Sequence, residues 1–151
     1  MTIIYCDGAC KGNPGLAGSG LVVYRNGEKT FMSGAFETKG TNNTAELKAL
    51  LHSLKIAQRL NEKVLIKTDS NYSINTITKW AYTWKKNGWK KKGGIKNLDL
   101  IKEIHNLYDS LHKKITIEYV KGHAGIEGNE LADTMANHAI EHKITFWKKI
   151  V

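Results

Sequence analysis

The sequence predicts an α/β domain built on a five-stranded mixed sheet flanked by helices. Three observations carry that prediction. Two strand-like segments are joined by Asn26-Gly27, the strongest short hairpin signal. Two short apolar runs, residues 2–6 and 64–68, read as strands buried on both faces. Long amphipathic helical patterns precede the later strands, as the crossovers of a parallel sheet require.

In chain order, residues 2–6 form a first strand ending at Asp7-Gly8. A loop follows, with Asn13-Pro14-Gly15 as its turn signal. Residues 20–25 and 29–36 are the second and third strands, which complete an antiparallel meander with the first. From 44 to 60, Leu47, Leu50, Leu51, Leu54 and Ala57 repeat at the helical period. Residues 64–68 are the fourth strand, ending at Asp69. Helical pattern resumes after Ser70 and runs past Trp80. Leu98, Ile101, Ile104, Leu107, Tyr108 and Leu111 mark another helix. Residues 115–120 alternate as the fifth strand, 121–128 form a Gly-punctuated loop, and 129–141 a last helix. The single proline and the absence of repeats leave no linker, so the expectation is one domain over 1–151.

Composition narrows the function. With 41% hydrophobic and 25% charged residues the chain is neither a disordered tail nor a membrane protein. No apolar run approaches the roughly 20 residues of a membrane-spanning helix, and the first residues do not read as a secretory signal. Cys6 and Cys10 are too few for a disulfide framework, so a reduced, cytoplasmic setting is expected. Lys plus Arg outnumber Asp plus Glu by 23 to 14, a net charge of +9. Seven lysines lie between Lys79 and Lys96, a window with no acidic residue and with Trp80, Trp84 and Trp89 interleaved. One reading is a solvated helix face with its tryptophans turned inward. The other is a polyanion-binding surface, in which lysines neutralise phosphates and aromatic rings contact sugars or bases. Gly88 and Gly93-Gly94 argue against a membrane-surface helix. The concentration of charge makes nucleic acid the expected partner.

The chemistry points to carboxylates. Asp is disfavoured in strands, yet two buried-looking strands end in Asp7 and Asp69. Ligands gather beyond the carboxyl ends of strands in open α/β sheets. Each Asp by itself reads first as a turn or cap residue, and it is the pair at equivalent strand ends that points to a site. Glu46 begins the first long helix, where Asn43 and Glu46 have the spacing of a capping box. Asp133 stands one turn into the expected last helix, where it suits the helix dipole. If the four converge, their repulsion calls for a cation, and carboxylate oxygens with water suit Mg²⁺ or Mn²⁺. Two such ions about 4 Å apart activate a water and stabilise the leaving oxygen in phosphodiester hydrolysis. His123, flanked by Gly122 and Gly125, is placed to shuttle protons, or is simply an exposed loop histidine. The other histidines lack metal-ligand spacing, so a zinc site is not expected, and Cys6 reads as strand packing.

The motifs Tyr5 to Gly15, Thr41 to Leu47, Thr68-Asp69-Ser70, Trp80 through the lysines to Asn97, and Val120-Lys-Gly-His123 with Gly128 to Asp133 run in order over nearly the whole chain. In these the chain resembles type 1 ribonuclease H, the bacterial ribonuclease HI family. The resemblance implies a ribonuclease H-like fold and endonucleolytic hydrolysis of the RNA strand of RNA–DNA hybrids, leaving 5′-phosphate and 3′-hydroxyl ends. It implies that Asp7, Glu46, Asp69 and Asp133 hold two Mg²⁺ ions, with Mn²⁺ able to substitute, and that His123 is the mobile-loop histidine. Cys10, Asn13, Asn42 and Asn71 match RNA-strand contacts. Lys39, Thr41, Tyr72, Trp80 and Asn97 match DNA-strand contacts. Lys85, Lys86, Lys90, Lys91 and Lys92 fall in a basic protrusion around 80–97. A monomer without an obligate protein partner is expected. Lys39 stands where relatives often carry Arg, which turns a forked contact into a point charge. Asn71 replaces a common Gln, and Ala45 a frequent Met. Two rivals remain: an integrase-like or junction-resolving nuclease on the same fold, and a non-catalytic hybrid-binding module.

Overall fold

The computed structural model describes residues 1–149. Three strands come first, β1 (Thr2–Lys11), β2 (Gly15–Arg25) and β3 (Glu28–Gly40), followed by α1 (Asn42–Arg59) and β4 (Val64–Thr68). Next are α2 (Asn71–Asn75) and α3 (Ala81–Lys86), joined by a π-helical turn at Thr76–Trp80. The chain closes with α4 (Leu98–Leu111), β5 (Ile115–Tyr119), α5 (Glu127–Glu141) and β6 (Lys148–Lys149). The sheet order is β5-β4-β1-β2-β3-β6. β1, β2 and β3 form the expected antiparallel meander, and β4 and β5 run parallel to β1.

The α/β class stands, with six strands instead of five. The additional β6 pairs with Ser33 and Gly34 on the edge of β3, and the Ser33 hydroxyl donates to the Lys148 carbonyl at 3.0 Å. Two residues cannot show an alternating pattern, so nothing in the sequence announces this strand. The hairpin forms where Asn26-Gly27 places it, with both residues left-handed (φ 52° and 82°), the geometry a two-residue turn needs to match strand twist.

β1 does not turn at Asp7. It continues to Lys11 in register with β2, so Asp7 lies within a strand, opposite Gly20. The last helix begins at Glu127 rather than at residue 129. Asp133 is therefore nearly two turns in, and the first-turn charges are Glu127 and Glu130. The capping box of α1 is also different from the expected one. Thr41 Oγ1 accepts from the Thr44 N–H at 3.1 Å, and Thr44 Oγ1 accepts from the Thr41 N–H at 2.8 Å. Glu46 is not spent as a cap.

Burial fixes the layers. On one face of the sheet, Leu47, Leu50 and Leu54 of α1 and Ile101 and Ile104 of α4 close over Ile4, Cys6, Leu21 and Ile66. Cys6 is core packing, as expected. On the other face α5 packs against β2 at backbone distance. A Cβ on Gly18 would lie 2.2 Å from the Ala136 carbonyl oxygen, and one on Gly20 would lie 2.3 Å from that of Ala132. This contact sets the depth at which α5, and with it Asp133, lies against the sheet.

Candidate active site

The carboxylates come from three elements and the loop after β4. β1 and β4 are parallel with Tyr5 opposite Lys67, so the register places Asp7 level with Asp69, just beyond the end of β4. α1 crosses β1 closely. A Cβ on Gly8 would fall 2.6 Å from the Glu46 nitrogen, and the Ser19 hydroxyl donates to the Ala45 carbonyl at 2.7 Å. Those contacts bring Glu46 to the same point. One oxygen from each of Asp7, Glu46 and Asp69 lies within 4.8 Å of the others. Asp133 stands outside this triangle. Its charge still reaches Asp7, and the Asn137 amide donates to its Oδ1 at 3.2 Å.

The electrostatics are those of acids forced together. Burial, then the charges of Asp69 and Asp133, push Asp7 up to about 8, against a backbone N–H from Gly8 at 2.9 Å that works the other way. Burial, then Asp7 and Asp69, hold Glu46 well above the usual carboxylate range. Glu46 Oε1 is buried without a hydrogen-bond partner among the described residues. An all-oxygen donor set with one orphaned carboxylate oxygen fits a hard divalent cation, which would supply the missing partner and remove the repulsion.

The histidine loop leans on this cluster. The Val120 N–H donates to the Thr68 carbonyl at 2.9 Å, and a Cβ on Gly122 would meet Asp69 Oδ2 at 2.4 Å. His123 follows, exposed and left-handed at φ 54°.

Beside the cluster, the Asn42 N–H donates to Asn13 Oδ1 at 3.0 Å, which joins two of the expected RNA-strand residues. The half-exposed Cys10 thiol faces the Gly12 carbonyl at 2.6 Å, and Asn71 is exposed at the start of α2. Lys39 is exposed at the end of β3, next to the Thr41 cap. A groove of about 580 Å³ runs between the helical segment bearing Tyr72, Trp80 and Trp84 and the loop of Lys91, Lys92, Ile95 and Asn97. Asn97 is the left-handed N-cap of α4, and its side chain makes no capping bond. Its amide is therefore not consumed by the helix.

The two readings of the Lys/Trp window divide residue by residue. Trp80 is 45% exposed, whereas Trp84 and Trp89 pack partly buried against the core. Lys91 and Lys92 line the groove, whereas Lys85, Lys86 and Lys90 are exposed away from it. Asn43 also lines the groove, a role that the capping reading of Asn43 obscured. Its signal was present: an exposed Asn next to Asn42, at a helix start already capped by threonine.

The family model described as RNase H matches residues 1–141. The chain is 45% identical over 140 residues to the ribonuclease H of Francisella philomiragia subsp. philomiragia, spanning 91% of this chain and 90% of that one. It is 46% identical over 143 residues to the ribonuclease H of Dichelobacter nodosus, spanning 91% of each. Among solved structures, the solution structure of the PFV RNase H domain superposes with a TM-score of 0.80 at 29% identity, covering 93% of this chain and 94% of that domain.

Proposed function

The chain belongs to the ribonuclease H family, enzymes that cut the RNA strand of RNA–DNA hybrids endonucleolytically, and we propose that Asp7, Glu46, Asp69 and Asp133 carry that reaction here. The observation that supports the assignment is the convergence of three carboxylates within 4.8 Å, with a buried Glu46 oxygen lacking any partner among the described residues.

The donor set fits divalent metal, and Mg²⁺ is the proposed ion, two per site, with Mn²⁺ as a substitute. When bound, the cations supply positive charge at the attacking water and at the leaving 3′-oxygen. Asp7 would be the ligand common to both ions, since it is grouped with Glu46 and Asp69 and also feels the charge of Asp133. Its Oδ1 is steadied by the Gly8 N–H. Glu46 would complete the set, with one oxygen grouped with those of Asp7 and Asp69 and its buried Oε1 unpartnered among the described residues. His123 moves a proton at the exposed rim of the site, on a loop anchored against Asp69 through Gly122. Cleavage leaves 5′-phosphate and 3′-hydroxyl ends.

Strand choice rests, in this reading, on two sets of residues. Cys10, Asn13, Asn42 and Asn71 read 2′-hydroxyls of the RNA strand. Lys39, Thr41, Tyr72, Trp80 and Asn97 hold the DNA strand, with Lys85, Lys86, Lys90, Lys91 and Lys92 adding phosphate attraction. These contacts go to sugar and phosphate, so base preference is weak. The proposal extends to one catalytic domain over 1–151, of which residues 150 and 151 lie outside the described residues, and to a cytoplasmic monomer without an obligate protein partner. No helix among the described residues is long and apolar enough to cross a membrane. A non-catalytic binding module is disfavoured, because converging acids without metal only repel a polyanion.

The test is cleavage of an RNA–DNA hybrid labelled on each strand in turn, with and without Mg²⁺. Cutting of the RNA strand alone, lost with EDTA, supports the reading. Equal cutting of an all-DNA duplex, or cutting that persists in EDTA, contradicts it.

A further inference from the structure

We infer that Glu37 is a positioning residue for Thr41, holding through Thr44 the capping box that sets where the Thr41 hydroxyl stands toward a DNA phosphate; this rests on the proposed role of Thr41. Glu37 lies near the end of β3, beside the start of α1. Its carboxylate pairs with Lys48 of α1 and accepts from Thr44 Oγ1 at 3.0 Å. Gly40 leaves room for this arrangement, since a Cβ there would lie 2.4 Å from Glu37 Oε1.

The consequence is a matter of counting protons. A threonine hydroxyl has one proton and two lone pairs. With the Thr44 proton committed to a charged acceptor, a lone pair of Thr44 Oγ1 is turned to the Thr41 N–H at 2.8 Å. The Thr41 oxygen in turn accepts from the Thr44 N–H at 3.1 Å. The Thr41 proton is held only loosely within the protein, because its one acceptor among the described residues, the second lone pair of Thr44 Oγ1, is 3.4 Å away, so an anion can take it. Without Glu37, the Thr44 proton turns to the Thr41 carbonyl, 3.2 Å away, or to the Thr41 hydroxyl itself. Either rotation draws the Thr44 lone pair off the Thr41 N–H and loosens the capping box that places the Thr41 hydroxyl.

The sign of the effect separates this from plain electrostatics. Deleting an acid from a polyanion-binding face should improve binding. The inference predicts the reverse: Glu37→Ala raises KM about three- to tenfold, the size of one hydrogen bond, with kcat within about twofold. Glu37→Gln retains an acceptor for Thr44 and recovers most of the affinity.

The decisive experiment combines Glu37→Ala with hybrids carrying a single neutral methylphosphonate stepped along the DNA strand. In the wild type, one position raises KM and marks the phosphate held by Thr41. In Glu37→Ala the penalty at that position shrinks, because the hydrogen bond to that phosphate is already weakened. A penalty of undiminished size, or a lowered KM in Glu37→Ala with unmodified hybrid, overturns the inference and leaves the Thr41 contact standing. If no position matters in the wild type, the Thr41–phosphate contact is absent and the inference falls with it. Thr44→Val removes the same link while leaving the Glu37–Lys48 pair in place, so it serves as the second variant should Glu37→Ala not fold, with the same expected non-additivity.

Discussion

Asp7→Asn should make the metal-free protein more stable while abolishing cleavage. Asp7 is 4% exposed and its carboxyl is raised from 3.8 to about 8. The native state therefore holds a proton that the unfolded chain releases above pH ~4. The Asp7 contribution to stability is intact below pH ~4, falls as the pH rises toward about 8, and is flat beyond. At about 1.4 kcal/mol per pH unit, the penalty reaches about 4 kcal/mol at pH 7. Glu46 and Asp69 keep part of the repulsion after substitution, so roughly 2 kcal/mol is the expected gain, or about 4–8 °C in Tm for a chain of this size. Asn keeps an oxygen for the Gly8 N–H and presents N–H donors to the neighbouring acids. Thermal unfolding in EDTA from pH 4 to 9, for wild type and variant, reads the effect. The gain should vanish near pH 4 and level off above pH 8. In saturating Mg²⁺ the order should reverse, because the wild type gains ligand-linked stability that the variant lacks. A variant less stable than wild type in EDTA at pH 8, or a gain equally large at pH 4, refutes the argument that these acids are strained by one another.

Three further outcomes follow from the geometry. Gly122→Ala puts a methyl group 2.4 Å from Asp69 Oδ2 and should cut kcat at least tenfold while hybrid affinity, read by fluorescence anisotropy in Ca²⁺, stays near wild type. Gly20→Ala drives a methyl into the Ala132 carbonyl at 2.3 Å and should cost about 1–3 kcal/mol in urea unfolding, with activity falling as α5 carries Asp133 away. Neutralising Lys85, Lys86, Lys90, Lys91 and Lys92 should raise KM with kcat kept, and should flatten the salt slope by roughly 0.7–0.9 for each phosphate that is no longer neutralised. Because only Lys91 and Lys92 of the five line the groove, that pair alone should account for most of the KM change at moderate salt.

Local patterns in the sequence determined most of the fold and named the three acids that the structure brings together. The helical period of α1, the alternation of β5 and the Asn26-Gly27 turn depend on residues a few positions apart, and each appeared where it was read. The ordered motifs supplied Asp7, Glu46, Asp69, Asp133 and His123 before any distance was known. What depended on partners remote in the chain was not legible. Asp7 looked like the end of a strand, because its β2 partner Gly20, which lets the strand run on past it, is visible only in the pairing. Glu46 looked like a capping residue, because the competing Thr41–Thr44 pair has the same spacing of three and only the folded backbone shows which one closes. Two tryptophans of the basic window turned to the core and one to solvent, a choice made by the packing of α3 and the following loop rather than by the Lys/Trp alternation. The distances that bring Asp7, Glu46 and Asp69 together came from the parallel register of β1 with β4 and from the close crossing at Gly8, while the crossing at Gly20 set the depth of the helix that carries Asp133. Register and the depth of each helix on the sheet are set by packing summed over the whole sheet, so the tertiary structure alone decided them.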